Sequence, residues 1–552
     1  MTHLCVSIVV QRLEQALSDA AQAAERGADL VEFRVDLFTD LAAVEQLARR
    51  SPLPCIVTCR PAWEGGACDL TDQERIPVLE VASLSGAAYI DVELAAYQRS
   101  SNLRQKVHLG AGRVIDLTAP RPDRKGLIVS YHDFTGRPPR LHAVFEELNR
   151  TGADVVKVAF LARSIRDNLE AFELLRHRCK PTIALCMGEA GLMSRVLAPK
   201  FGGFLTFATL RPQDVTAPGQ PTVDELLTLY RFRSIGPATA VYGVIGHPVA
   251  HSLSPHVHNA AFAHTGIDAV YLPMPVPGGY ESFKAFMETL GKDPGLHLTG
   301  LSVTLPHKEN AYRYLLEAGG ELDEVARRAG AANTLHISDR GLRGTSTDHA
   351  AILHCVRVGL ARAIGRPDTE AETIPLDGLE VAVIGAGGTG RTAVAALAGT
   401  TARVHLYNRT RERAEQLAAE FPDTIRAVHP LQALPSSPCR VFIQTTSVGM
   451  AEARHPSAVN DGQAGEPGSV WDKAGGLPGQ LGPGHVVFDC VYTPLHTRFL
   501  REAADRGATT VPGVEMFAHQ AHAQFAFWTG RAPPLSFFRD RAVAALVYRG
   551  LA

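Results

Sequence analysis

The chain has little of what would mark it as secreted, metal-stapled or membrane-bound. Its nine cysteines are scattered through 552 residues, with no CxxC pair and no Cys/His cluster at zinc spacing. That excludes a disulfide framework and a structural zinc site, and no metal is expected. No apolar run approaches the roughly 18 residues of a membrane span. The opening, MTHLCVSIVVQRLEQ, lacks a basic region before its short apolar run, so no signal peptide and a cytoplasmic location are expected. A formal net charge of -2 draws the chain neither to nucleic acid nor to anionic lipid. With 45% hydrophobic and 20% charged residues the composition is that of a globular protein, too long for a single core. Lysine is scarce too: nine among 55 basic residues.

One of those nine sits where an ammonium is costly. Asp154–Phe160 reads DVVKVAF, a run apolar on both faces in the manner of a covered parallel strand, with Lys157 in its middle. It is one of eight β-rich runs before residue 232: HLCVSIVV, LVEFRVD, CIVTCR, AYIDVEL, GLIVSYHDF, DVVKVAF, TIALCM and FLTFAT. Helical stretches such as Leu13–Arg26 and Ile165–Arg178 alternate with them, which is the arithmetic of a (β/α)8 barrel. Such barrels carry their chemistry at the carboxyl ends of strands. Glu32, Arg34, Arg60, Asp91, Glu93 and His132 end their runs, and Arg195, Thr216 and Gln220 come after the last two. Burial and the nearby arginines favour a neutral Lys157, a nucleophile toward ketones that forms a Schiff base. A buried ion pair with Glu32 is the alternative.

VEFRVD, TCRPAWEGG, SYHDF, VVKVAF, MSR with FGG, and APGQ make this half similar to type I 3-dehydroquinate dehydratase over nearly its whole length. The resemblance implies Lys157 as the Schiff-base lysine, His132 as general acid/base and Glu64 as the group that orients it. It implies that Glu32, Arg34, Arg60, Arg195 and Gln220 hold the substrate. Thr216 stands where the family has Ser, so a hydroxyl is kept and altered packing is expected. A Schiff-base aldolase is the rival reading, against which SYHDF and EGG speak.

SIGPATA, Ser234–Ala240, reads as a linker. Beyond it, VYGVIGHPVAHSLSP delivers Ser252 and Ser254, of which the second reads equally well as a helix cap before Pro255. GLSVTLPHKEN delivers Thr304 and Lys308, GAANTL Asn333, and GTSTDHA Thr347 and Asp348. LEVAVIGAGGTGRTAVAALA is a strand, a glycine-rich turn and a helix, with Gly385, Gly387 and Gly390 in GxGxxG spacing. Ala386, Gly388 and Thr389 complete the loop, whose amides face phosphates at the helix start. About 20 residues on, an NAD enzyme places an acid. Here stand Asn408, Arg409 and Thr410, then Arg413, which suits the 2′-phosphate of NADP.

Together with TSVGM, VVFDCVYTPLHT and GVEMFAHQAHAQFAFWTG, these motifs make residues 240 to the end similar to shikimate dehydrogenase. The resemblance implies Lys308 and Asp348 as the catalytic pair. Ser252, Ser254, Thr304, Asn333, Tyr492 and Gln520 would bind substrate, and Gly513 would join the cofactor site. Ser302, Ser346 and Thr445 stand where relatives have Asn, so a preference for quinate over shikimate stays open. The expected architecture is a barrel over 1–232, a linker at 233–240, and a two-domain dehydrogenase. Its substrate domain is 241–347, completed by 515–552, and its Rossmann NADP domain is 348–514. The order dehydratase then dehydrogenase resembles the fused arrangement of plants, making 3-dehydroquinate and 3-dehydroshikimate the expected substrates. Oligomeric state is not legible. Residues 451–484 read as a long Gly/Pro-rich loop.

Overall fold

The computed structural model describes residues 1–99, 101–110, 126–451 and 467–551. The chain divides into two compact units, Met1–Thr239 and Ala240–Ala552. Among the described residues no helix is long and apolar enough to cross a membrane.

The first unit is built on eight strands: β1 (His3–Val9), β2 (Leu30–Arg34), β3 (Cys55–Thr58), β4 (Tyr89–Glu93), β5 (Gly126–Asp133), β6 (Val155–Leu161), β7 (Thr182–Met187) and β8 (Leu205–Ala208). Each pairs in parallel with its sequence neighbour from β1 to β7, and β1 also pairs with β8. The remaining seam between β7 and β8 carries a hydrogen bond of 2.8 Å from the Phe204 N–H to the Thr182 carbonyl, so the sheet is a near-closed (β/α)8 barrel. Both faces of each strand are covered, which is why the runs read as continuously apolar. Cys5, Ile56, Ile128, Ile183 and Leu185 fill one interior layer. In the polar layer, register sets Ser7 opposite Glu32, Thr58 opposite Asp91 and Ser130 opposite Lys157.

The second unit holds two sheets. Strands β9 (Ala240–Gly246), β10 (Ala269–Pro275), β11 (Leu298–Val303), β12 (Glu321–Leu322), β13 (Thr334–Ser338) and β14 (Gly341–Thr345) form a mixed sheet in the order β10-β9-β11-β13-β14-β12. Strands β15 (Glu380–Ile384), β16 (Arg403–Asn408), β17 (Ile425–Pro430), β18 (Val441–Gln444), β19 (Val486–Asp489) and β20 (Thr509–Val511) are all parallel, in the order β17-β16-β15-β18-β19-β20. That is the Rossmann order, with the switch point beside β15. The helix Thr347–Ala363 leads from the first sheet to the second. The helices Gly513–Thr529 and Leu535–Tyr548 return, burying Phe525, Trp528 and Phe538 with Tyr242 and Phe262 of the first lobe.

That returning core encloses His258, fully buried and stacked on Tyr271 at 4.6 Å. Burial lowers its pKa to about 3. A histidine held neutral in the fold stabilises it fully above the unfolded value of about 6.5, and that contribution is lost as pH falls toward the folded value. We expect the second unit to lose several kcal/mol, in order of magnitude, between about pH 6.5 and 3. His258→Phe, which keeps a ring among rings, should lower the acid midpoint in a circular-dichroism titration; an unmoved midpoint counts against this.

The loop expected over 451–484 is only partly a loop. Residues 452–466 lie outside the described residues. Beyond them Ser469 caps a short helix, Val470–Ala474, and Trp471 is buried, its indole N–H donating to the Phe499 carbonyl at 3.1 Å. One aromatic with a backbone partner outweighs the surrounding glycines and prolines.

Candidate active sites

At the carboxyl ends of the barrel strands a cavity is lined by Glu32, Arg34, Arg60, Glu64, His132, Lys157, Arg195, Thr216 and Gln220, nine residues singled out in the sequence. Lys157 is 5% exposed, with its ammonium 4.4 Å from the centre of the Phe207 ring. Its nearest charged neighbours are carboxylates rather than the expected arginines. Lys157 Nζ donates to Asp91 Oδ2 at 3.1 Å and lies 3.5 Å from Glu32 Oε1. The alternative ion pair is therefore present, enlarged by Asp91, because β2 and β4 bring their carboxylates to the level of β6.

Those carboxylates are individually anchored. Ser7 Oγ and Thr58 Oγ1 donate to Glu32 at 2.6 and 2.9 Å. Burial alone would raise Asp91, but Arg60 and Lys157 hold it well below the usual carboxylate range. Arg60 donates to Glu93 Oε1 at 2.7 Å and to Ser130 Oγ at 2.8 Å, and pairs with Asp91 at 2.9 Å. Behind it the fully buried Arg75 pairs with the other oxygen of Glu93 and donates to the Cys59 carbonyl at 3.0 Å. Asp36 binds Arg34 with both oxygens and accepts the backbone N–H groups of Arg60 and Ala67 at 2.9 and 3.0 Å.

His132 Nδ1 lies 2.9 Å from Glu64 Oε1, which also accepts the His132 backbone N–H at 2.9 Å. Burial pushes Glu64 up to about 8, against the Arg60 guanidinium 3.9 Å away. Because Oε1 accepts the backbone N–H whether or not Oε2 carries a proton, it serves Nδ1 as an acceptor too, which assigns the imidazole proton to Nδ1 and leaves Nε2 bare. Burial, then Arg60 and Lys157, hold the imidazole pKa well below its ordinary value. Arg195 is the odd member: 2% exposed, its Nε without a partner, and with no ion pair among the described residues. Burial draws it down to about 10. A buried cation without an anion is costly, and here it faces a cavity. Thr216 Oγ1 donates to Gln220 Oε1 at 2.8 Å, so the hydroxyl at the Ser-to-Thr departure is engaged.

In the second unit, Lys308 opens the helix Lys308–Glu317 and Asp348 lies in the first turn of Thr347–Ala363. Their Nζ–Oδ2 distance is 2.6 Å, and Asp348 is buried. Asn333 accepts the Thr347 N–H at 2.9 Å and donates to Thr347 Oγ1 at 3.0 Å, fixing that turn. Ser254 is not a cap: the helix begins on it, and its own N–H donates to Ser252 Oγ at 3.2 Å. Thr304 presses its methyl on Gly246, where a Cβ would come within 2.4 Å of it. Tyr492 packs on Phe517 at 5.0 Å and feels the charge of Asp348. Gln520, half-buried, makes no hydrogen bond among the described residues.

The glycine turn after β15 conforms to its motif. A side chain on Gly390 would meet the Gly385 carbonyl at 2.0 Å, whereas one on Gly387 or Gly388 would meet nothing within 4 Å. That open cradle, ahead of the helix Gly388–Leu397, is what a pyrophosphate needs. Ala386 N–H donates to Asn408 Oδ1 at 3.2 Å, and Asn408 Nδ2 to the Thr410 carbonyl at 2.7 Å. Thr389 is half-buried in the turn, and Thr445 Oγ1 donates to the Ile384 carbonyl at 2.8 Å. Gly513 has room only for hydrogen, since a Cβ would sit 2.5 Å from the Val491 carbonyl. Arg409 and Arg413 are exposed and form no ion pair among the described residues.

Family profiles for type I 3-dehydroquinase, the shikimate dehydrogenase substrate-binding domain, shikimate/quinate 5-dehydrogenase and the shikimate 5′-dehydrogenase C-terminal domain match residues 4–237, 244–335, 369–450 and 513–542. A bifunctional 3-dehydroquinate dehydratase/shikimate dehydrogenase of Arabidopsis thaliana, named as chloroplastic, is 36% identical over 97% of this chain and 83% of its own length. The chain belongs to the bifunctional 3-dehydroquinate dehydratase/shikimate dehydrogenase family. The dehydrogenase unit is also 36% identical to an NADP(+) shikimate dehydrogenase of Geobacillus kaustophilus, over 55% of this chain and 98% of that one. A solved dehydroquinate dehydratase–shikimate dehydrogenase from S. pombe AroM is 25% identical, covers 98% of each chain and has a TM-score of 0.39.

In the dehydratase unit Arg75 carried no signal in the sequence, and Asp36, though it ends the VEFRVD motif, was given no role. In the dehydrogenase unit Gln524 also escaped notice; it accepts from Ser302 Oγ at 2.7 Å and donates to the Asn333 carbonyl at 3.2 Å. Ser302 in turn accepts from the Tyr271 hydroxyl at 2.6 Å, so the serine found in place of asparagine is held inside the lobe. Gln524 stands four residues after Gln520 on one helix, a spacing that shares a face, and that was the available signal.

Proposed function

We propose that the first unit dehydrates 3-dehydroquinate to 3-dehydroshikimate through a Schiff base, and that the second reduces this product to shikimate with NADPH. The assignment divides the chain at 1–232, 233–240, 241–347 with 515–552, and 348–514. The carrying observation is Lys157 in one cavity with the His132–Glu64 pair and the unpaired Arg195.

Arg195 takes the substrate carboxylate, while Glu32, Arg34, Arg60, Thr216 and Gln220 hold the hydroxyls. Lys157 passes a proton to Nε2 of His132 and adds as the free amine to the ring ketone; the imidazolium returns that proton to the carbinolamine hydroxyl, which leaves as water and gives an iminium that withdraws electrons from the adjacent carbon. Nε2 of His132 removes a proton there. The same imidazole returns it to the departing hydroxyl, which leaves as a second water. Hydrolysis of the imine consumes one water and frees Lys157, for a net loss of one.

In the second unit NADPH, when bound, supplies the hydride. Its pyrophosphate fits the Gly385–Gly390 turn and its 2′-phosphate fits Asn408, Arg409, Thr410 and Arg413. Lys308, aimed by Asp348 through a 2.6 Å contact, gives the proton that the developing alkoxide requires. Ser252, Ser254, Thr304, Asn333, Tyr492 and Gln520 hold the ring hydroxyls and carboxylate. Relatives named for shikimate support it over quinate as the product. A cytoplasmic location belongs to the same proposal, and cell fractionation checks it.

Purified chain given 3-dehydroquinate and NADPH should yield both 3-dehydroshikimate and shikimate. Absence of both products sinks the barrel assignment, and accumulation of 3-dehydroshikimate without shikimate sinks the other. For the cofactor, Arg409→Ala with Arg413→Ala should raise KM for NADPH roughly 10- to 100-fold, the loss of one or two charge-assisted bonds, and leave NADH nearly unaffected.

A further inference from the structure

The residue after the glycine turn's last glycine is Arg391, and its guanidinium leaves the Rossmann lobe. Nε donates to the Ala329 carbonyl at 3.0 Å, at the end of the helix Glu324–Ala329. The same group lies against Gly330: a Cβ there would sit 3.4 Å from one guanidinium nitrogen. The other two nitrogens bind Glu420, at 2.9 Å on one side and closer on the other, which fixes the fork's direction. Beneath this contact Ala329, Ala331 and Ala395 are buried against one another, so small side chains bring the two lobes close.

Past Gly330 the chain enters the substrate site. The Ala332 N–H donates to the backbone carbonyl of Lys308 at 3.0 Å, and the Asn333 carbonyl accepts from the Val303 N–H at 2.7 Å. Asn333 fixes the turn that carries Asp348. A path of a few bonds thus runs from the cofactor-cradling turn to both members of the Lys308–Asp348 pair. We infer that Arg391, anchored by Glu420, is a positioning residue that couples an occupied dinucleotide turn to the placement of Lys308 and Asn333 across the lobe boundary. The inference rests on the reading of the second unit as an NADPH-dependent reductase. The guanidinium of Arg391 is taken up by the Ala329 carbonyl and by Glu420. The ion pair is half-exposed and so contributes little to stability, and its variants should fold. Its role is linkage: each ligand improves the fit of the other by a coupling that needs the contact.

The test compares the full-length chain with Arg391→Ala, Arg391→Lys and Glu420→Gln. Three quantities are read: the Kd of NADP+ alone, the Kd of shikimate with and without saturating NADP+, and the steady-state constants for reduction. Arg391→Ala should leave the Kd of NADP+ within about twofold. It should cut kcat/KM for 3-dehydroshikimate about tenfold and abolish the gain in shikimate affinity that NADP+ confers, the usual size of such couplings. Arg391→Lys should recover part of that gain, and Glu420→Gln should show a smaller loss. Unchanged coupling in Arg391→Ala overturns the inference. So does an equal loss of NADP+ binding, which would make Arg391 a cofactor ligand. Hydrogen exchange at Ala331 and Ala332 reads the contact without turnover: NADP+ should protect these amides in the wild type and not in Arg391→Ala, and protection in both is fatal. A wild-type chain that never reduces substrate would instead remove the functional reading.

Discussion

Lys157→Ala should lower the rate of 3-dehydroquinate dehydration by about 10⁴-fold or more, because both the nucleophile and the electron sink are lost together. Reduction of 3-dehydroshikimate by the same protein should stay within about twofold of wild type. The alanine variant also strands Asp91 and Glu32, and breaking a buried pair costs about 3–5 kcal/mol. Lys157→Arg separates the two effects. It keeps a cation between the carboxylates but cannot lose its proton, so it should fold normally and remain inactive. Borohydride added with substrate should fix the ligand on Lys157 in the wild type, and mass spectrometry can place it among only nine lysines. An adduct at another lysine, or dehydration by the arginine variant, would refute the Schiff-base assignment.

Lys308→Ala should reduce kcat for reduction about 10²- to 10⁴-fold, the usual worth of a positioned proton donor. NADPH binding should change little, since Lys308 is not among the residues proposed to hold the pyrophosphate or the 2′-phosphate. Asp348→Asn preserves shape while removing the charge 2.6 Å from Nζ, so its loss should be smaller. Dehydration serves as the control in both variants. A parallel loss of kcat and cofactor affinity in Lys308→Ala would make the lysine structural.

All eight barrel strands were legible because strands covered on both faces write themselves as unbroken Val/Ile runs, in which a lysine or histidine stands out. The charge pattern around Lys157 was not. The arginines were visible as residue types, but which side chain comes nearest depends on register, and register puts Ser130 beside Lys157 while Asp91 reaches across from β4. Arg75 was hidden differently. It lies in the helix Asp72–Leu84, where one arginine among acids reads as a solvated face, and only the closure of the barrel shows it fully buried against Glu93. In the second unit the glycine turn was readable because its geometry demands glycine at Gly390 and open space at Gly387. Trp471 was overlooked because loop composition says nothing about a lone aromatic that finds a hydrophobic seat.

The unpaired Arg195 has a practical consequence. A guanidinium removed from water and with no counter-charge among the described residues will accept whatever small oxyanion enters the barrel mouth. Dehydration measured in phosphate or sulfate buffer should therefore show competitive inhibition that an amine buffer at equal ionic strength does not, and Michaelis constants from the two media should not be compared directly.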